Sequence, residues 1–93
     1  MTGRVTRRFL VTGRVQGVGF RHFVATSAGV LGLRGTVANR MDGSVEVVAH
    51  GDGAQLDELK RRLQRGPRFA SVTNVESFEI SNETPLPTGF IIV

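Results

Sequence analysis

The sequence predicts one α+β domain in which an antiparallel sheet carries two helices on one face. The chain has 93 residues, enough for a single hydrophobic core but not for a core and a separate functional domain. Stretches in which every second residue is apolar are interspersed with stretches of helical periodicity. Glycine, at 12 residues, exceeds its usual share of about 7%. We therefore expect short elements joined by tight turns, within one domain spanning residues 1–93.

The first part of the chain predicts a strand followed by a helix. Apolar residues recur at every second position from Arg7 to Val15, which indicates a half-buried strand, and residues 1–6 before it are interpreted as a polar N-terminal arm. After a glycine-rich loop, apolar residues recur at helical spacing from Phe20 to about Leu31, and Gly32 can end that helix. The predicted buried face of the helix consists of Phe20, Phe23, Val24, Ser27, Ala28 and Leu31.

The middle of the chain predicts a hairpin and a second helix. Strands are expected from Leu33 to Asn39 and from Val45 to His50, joined through the turn signal Asp42-Gly43. Asp52 is the expected cap of the second helix, and Gly66-Pro67 ends it. The buried stripe of this helix is Leu56, Leu59 and Leu63.

Two further strands complete the prediction. Alternation from Val72 to Ile80 indicates a fourth strand, and Gly89 to Val93 a short final one, after a proline-containing connection. The order is strand, helix, strand, strand, helix, strand, with an extra strand at the end. This order is that of the split βαβ, ferredoxin-like arrangement, a two-layer sandwich with an antiparallel sheet and both helices on one face.

Composition excludes several classes of function. The chain has no cysteine, which rules out disulfides and thiolate chemistry. Neither His22 nor His50 has the spacing or the carboxylate neighbours of a metal site, so we expect no metal and no cofactor. No apolar run approaches the length of a membrane span or a signal peptide, so a cytoplasmic protein without membrane contacts is expected, as a monomer. The net charge of +4 favours an anionic partner.

A candidate anion site lies between the first strand and the first helix. Successive backbone N–H groups and the positive end of a helix can bind an anion there, and Gly17 and Gly19 permit the backbone conformations required. Arg21 opposes the helix dipole, a penalty that a bound phosphate would reverse. A simple strand-to-helix turn is the alternative. The segment lacks the third glycine of the dinucleotide fingerprint and the Gly-Lys-Ser/Thr of the P-loop. The candidate phosphate-binding residues are Gln16, Gly17, Val18, Gly19, Phe20 and Arg21.

Asn39 is a second candidate, at the point where the second strand enters its hairpin loop. Asparagine is common in turns because its side chain bonds its own backbone. The residue types and their spacing leave open whether Asn39 is a turn residue or part of a site.

Two segments of the chain resemble a known family. Gly13 to Arg21, which reads GRVQGVGFR, resembles the first acylphosphatase signature, and Gly35 to Glu46 resembles the second. The resemblance implies the fold predicted above and hydrolysis of the carboxyl-phosphate anhydride of acyl phosphates, without a metal. It further implies that the 16–21 loop cradles the phosphate, that Arg21 binds it and that Asn39 orients the attacking water. Thr36 and Val93 depart from the family, which more often has aromatic residues there, and these departures bear on substrate range.

Two alternatives to hydrolysis stay open at this point. RNA-recognition modules share the predicted topology, and the chain is basic, but Tyr and Trp, on which RNA bases commonly stack, are absent. Binding of RNA that is unaffected by Arg21→Ala would favour such a module. A phosphate-sensing domain without activity is the other alternative, and tight phosphate binding without turnover would indicate it.

Overall fold

The computed structural model describes residues 3–93. It contains the predicted sequence of elements, including the extra strand at the C-terminus. The elements are β1 (Arg4–Arg14), α1 (Phe20–Val30), β2 (Arg34–Asn39), β3 (Val45–Asp52), α2 (Gly53–Arg65), β4 (Ser71–Ile80) and β5 (Phe90–Ile92). The ferredoxin-like arrangement is therefore confirmed. No helix within residues 3–93 is both long and apolar enough to cross a membrane.

The sheet has five strands in the order β4-β1-β3-β2-β5. The first four pair antiparallel, as predicted, whereas β5 pairs parallel with β2. The connection 81–88 is the reason. It crosses from β4, at one edge of the sheet, to β2, near the other edge, and it does so at the end of the strands where β4 finishes and β2 begins. Because β5 starts at the same end as β2, it runs in the same direction. The sheet is consequently mixed and not purely antiparallel.

The first strand begins earlier than predicted. Arg4 pairs with Asp52, so β1 starts three residues before Arg7, and Thr6 within this extension is buried. The reason is that β3 itself runs on to Asp52 and supplies pairing partners for residues 4–6. These residues belong to the sheet and not to the predicted polar arm, and residues 1 and 2 of that arm lie outside the described residues.

The hydrophobic core lies between the sheet and the two helices. Alternate residues of β3 and the apolar residues Phe9 and Val11 of β1 point into it. Both helices contribute the apolar stripes predicted from their periodicity, except that Phe23 and Leu31 are only half-buried. The largest fully buried side chains include Phe9, Phe20, Leu56, Leu59 and Leu63. The expected side-chain cap of α2 is wrong: Asp52 occupies the N-cap position and pairs with Arg4 as the last residue of β3, but its side chain makes no capping hydrogen bond.

Candidate active site

The loop between β1 and α1 has the backbone conformation that the sequence predicted. Gly17 and Gly19 have φ angles of 75° and 76°, in the left-handed region that glycine adopts without strain. A Cβ placed on either residue would meet no atom within 4 Å. Glycine is therefore required here for its backbone conformation and not for lack of space. A larger residue would strain the loop even though it would fit.

The start of α1 keeps its N–H groups available. Gly19 is the N-cap and has no side chain to accept from the N–H groups of the first turn, and that turn has no acidic residue. The amide of Phe23 donates to the carbonyl of Gly19 at 3.1 Å, so the amides of residues 20–22 precede the first helical hydrogen bond. Free N–H groups and the positive end of the helix dipole together favour an anion at this position.

A small pocket of about 90 Å³ opens at this helix end. The share of one water in the liquid is about 30 Å³, so the pocket suits a group of phosphoryl size, far below the roughly 300 to 1,000 Å³ of typical drug-sized sites. Its lining residues are Val15, Gly17, Gly19, Phe20, Arg21, His22 and Asn39.

Topology brings Asn39 to the same pocket as Arg21. Because β1 and β2 both pair antiparallel with β3, they run in the same direction, and their C-terminal ends lie at the same end of the sheet. The 16–19 loop follows β1 at that end, and Asn39 is the last residue of β2. The two residues that the sequence predicted as the centre of a site therefore lie in one pocket, although 18 positions separate them in the chain.

Arg21 has no carboxylate side chain as a partner among residues 3–93. Its side chain is half-buried, and Nη1 lies 3.5 Å from the backbone carbonyl oxygen of Val93. An arginine can bind two phosphate oxygens through parallel hydrogen bonds. The charge that opposes the helix dipole can thus bind an anion in the pocket.

Two of the six predicted phosphate-binding residues do not line the pocket. The Gln16 side chain donates from Nε2 to the carbonyl oxygens of Arg40 and Ser44, at 2.8 and 2.9 Å. The Val18 side chain is half-buried against the core. The other four residues line the pocket, and Phe20 does so although its ring is buried in the core. Loop sequence alone does not show which way alternate side chains point.

Sequence reasoning missed two lining residues. Val15 is buried at the end of the alternating pattern of β1, and that pattern places it next to the loop. His22 lies in the first turn of α1, directly after Arg21. Within residues 3–93, no three His, Asp or Glu side chains come close enough to hold a metal ion.

The hairpin loop after Asn39 is closed by its own hydrogen bonds. The amide of Arg40 donates to the carbonyl of Ser44 at 2.8 Å, and the amide of Gly43 donates to the carbonyl of Arg40 at 3.2 Å. Asp42 Oδ1 accepts from the hydroxyl and the amide of Ser44, at 2.6 and 2.9 Å. These bonds hold the pKa of Asp42 below its usual range. The chain that follows Asn39 therefore has a defined path.

The chain is similar to acylphosphatases in sequence and in structure. A sequence model of the acylphosphatase family matches residues 7–92. The acylphosphatase of Koribacter versatilis (strain Ellin345) is 56% identical over 81 residues, which cover 87% of this chain and 74% of that protein. The acylphosphatase of Alkalilimnicola ehrlichii is 49% identical over 80 residues, covering 86% and 90% of the two chains. The crystal structure of the acylphosphatase from Bacillus subtilis has a TM-score of 0.90 at 38% identity, covering 96% of this chain and 98% of that one. The matches confirm the resemblance of the two segments, and the chain belongs to the acylphosphatase family.

Proposed function

We propose that this chain hydrolyses acyl phosphates to a carboxylate and inorganic phosphate in the pocket at the start of α1. One observation carries the proposal: backbone amides at a helix start, an arginine without a carboxylate side-chain partner among the described residues, and an amide side chain line a single pocket of about 90 Å³. The first two supply positive potential for a phosphoryl group, and the third can hold a water molecule. Family membership supports the same reaction.

Arg21 and the amides at residues 17–22 hold the phosphoryl group of the substrate. Charge spreads over the phosphoryl oxygens in the transition state of phosphoryl transfer, and preorganised donors stabilise that charge without rearranging. The positive end of α1 adds to their field. Binding and transition-state stabilisation thus come from the same groups, and the pocket needs no further cation for this role.

Asn39 holds the attacking water. Its side-chain amide can donate to and accept from water but cannot take up a proton usefully near neutral pH, so a phosphoryl oxygen of the substrate accepts the proton. The bond between the water oxygen and phosphorus forms as the bond between phosphorus and the acyl oxygen breaks. The acyl group leaves as a carboxylate with the bonding electron pair, which needs no general acid because a carboxylate is a good leaving group.

The test is hydrolysis of benzoyl phosphate, followed by its ultraviolet absorbance, with and without a chelator. We expect turnover in both conditions. Arg21→Ala should weaken binding of substrate and of inorganic phosphate, whereas Asn39→Ala should lower kcat by about 100-fold or more with phosphate binding largely kept, a loss comparable to that of one oxyanion-hole donor. Full activity of Asn39→Ala would refute the water-positioning role, and the absence of turnover by the unmutated chain would refute the proposed reaction.

The remaining expectations about partners and location stay predictions. A small-molecule acyl phosphate as substrate follows from the family, and the pocket matches its phosphoryl group in size. The monomeric state, the absence of nucleic-acid binding and the cytoplasmic location rest on the sequence. Sedimentation of the purified chain and a binding assay with RNA would test the first two.

A further inference from the structure

We propose that Gln16 is a positioning residue that ties the phosphate-binding loop to the hairpin loop carrying Asn39. This inference rests on the proposed function, because it assigns to Asn39 the water and to the 17–22 segment the phosphoryl group. The Gln16 side chain leaves its own loop and donates two hydrogen bonds to the other, to Arg40 O at 2.8 Å and to Ser44 O at 2.9 Å. It does not line the pocket.

The two acceptors of Gln16 lie at the two ends of the hairpin loop. Arg40 directly follows Asn39, and Ser44 directly precedes β3. A single amide group that holds both ends fixes the direction in which the chain leaves Asn39. Since Gln16 itself is the residue before Gly17, the same side chain fixes the start of the segment that lines the pocket. Strand pairing brings the two loops to the same end of the sheet, and this contact sets the remaining separation between the phosphoryl group and the water-holding amide.

The hydrogen bonds of Gln16 are not needed to close either loop. The hairpin loop is closed by the amides of Arg40 and Gly43, which donate to the same two carbonyl oxygens, Ser44 O and Arg40 O. Removal of the Gln16 amide therefore leaves both carbonyls with a partner, and we expect the fold to persist. What is lost is the link between the loops. For reactions that depend on orientation, a displacement of about 1 Å can cost on the order of 100-fold in rate.

The prediction separates turnover from binding. Gln16→Met keeps the length of the side chain and removes both donors, so we expect kcat for benzoyl phosphate to fall by about tenfold or more. The inhibition constant of inorganic phosphate should stay within about threefold, because Arg21 and the amides that bind phosphate are unchanged. Gln64→Met, the same change on the exposed face of α2, is the matched control and should leave both quantities unaltered.

A double variant shows whether Gln16 acts through Asn39. If it does, Gln16→Met added to Asn39→Ala should lower the residual kcat by no more than about twofold, because the water-holding group is already gone. Gln16→Asn, which keeps the amide but shortens the side chain by one methylene, serves as a second variant and should also lose kcat. Thermal unfolding of each variant verifies that it is folded.

Three outcomes would overturn the inference. Unchanged kcat in Gln16→Met would show that the link is not needed. A loss of phosphate affinity in step with kcat would make Gln16 part of phosphate binding instead. Full additivity in the double variant would show that it acts independently of Asn39. Absence of turnover by the unmutated chain is a different result and bears on the proposed reaction alone.

Discussion

In the absence of a bound anion, the guanidinium of Arg21 and the positive end of the α1 dipole repel each other. A cation in the first turn of a helix lowers folding stability by about 0.3 to 1 kcal/mol, and a bound anion reverses the sign of the interaction. The site is thus less stable without its ligand than with it. The consequence is that ligand binding and folding stability are linked through one side chain.

We therefore expect phosphate to stabilise the protein. A phosphate concentration of 100 times Kd should add about 2.7 kcal/mol to the free energy of unfolding, and Arg21→Ala should abolish most of this gain. Without phosphate, the same variant should be as stable as the unmutated chain or slightly more stable, since the repulsion is gone. Thermal unfolding with sodium phosphate, against sodium chloride at equal ionic strength, measures both effects. An equal phosphate effect in Arg21→Ala would contradict the prediction.

His50 makes stability depend on pH. Burial, and then repulsion from Arg34 and Arg4, lowers the pKa of His50 below its ordinary value of 6.5. The folded protein thus binds fewer protons than the unfolded chain, so its stability is greatest above that ordinary value. The free energy of unfolding should decrease as pH falls below 6.5, until His50 is protonated in the folded state as well. Urea unfolding at pH 8 and pH 5.5 should show the loss, and His50→Gln should reduce it; an unchanged pH dependence would contradict this cause.

At the residue scale, the sequence predicted the chemistry of the site better than its geometry. Arg21 could be identified because it breaks a local rule at a helix start, and Gly17 and Gly19 because few other residues adopt their backbone conformation. The sequence could not predict that the Gln16 side chain points to the hairpin loop, since its acceptors are carbonyl oxygens 24 to 28 positions away. Partners that distant are fixed only by the complete fold.

At the scale of elements, the connection 81–88 determines the direction of β5 and is held by polar contacts. Arg34 Nη1 donates to the carbonyl oxygen of Leu86 at 3.2 Å. Asn82 Oδ1 accepts from the hydroxyl of buried Thr6 at 3.0 Å, and Asn82 Nδ2 donates to the carbonyl oxygen of Arg4 at 3.2 Å. The connection is thus fixed to β1 and β2 at several points along its length.

Asn82→Ala should destabilise the protein by about 1 to 2 kcal/mol. Two hydrogen bonds are lost, each with a typical net value of about 0.5 to 1.5 kcal/mol, and Thr6 keeps a partner in His50 Nδ1 at 2.8 Å. The control is Glu83→Ala, an exposed change in the same connection, with an expected effect within about 0.5 kcal/mol. Denaturant unfolding measures both, and equal effects of the two variants would contradict the structural role of Asn82.

Periodicity predicted the elements well where one face is buried. The helices begin and end within one or two residues of the prediction, because their apolar positions recur at helical spacing against one core. The start of β1 and the parallel pairing of β5 were not predicted. Both depend on partners elsewhere in the sheet: β1 extends to Arg4 because β3 extends to Asp52, and β5 follows the path of the connection before it.

For the whole molecule, the net charge of +4 should guide anionic substrates to the pocket. Added salt screens this attraction, because the Debye length falls from about 30 Å at 0.01 M to about 3 Å at 1 M. We expect kcat/KM for benzoyl phosphate to decrease several-fold between these limits, with kcat changed by less than about twofold. Sodium chloride and sodium acetate should act alike. A decrease confined to one salt would indicate competition by that anion at the site instead.

The parallel strand β5 has a consequence beyond the active site. It occupies the outer side of β2, where the amide of Gly35 donates to the carbonyl of Gly89 and the amide of Val93 donates to the carbonyl of Val37. The opposite border of the sheet, formed by β4, presents the exposed carboxylates of Glu76 and Glu79 instead. One border is thus reduced to an edge strand of three residues, and the other carries charge. A copy that lost β5 would expose β2 as a template for another chain, so this three-residue strand protects the protein against self-association.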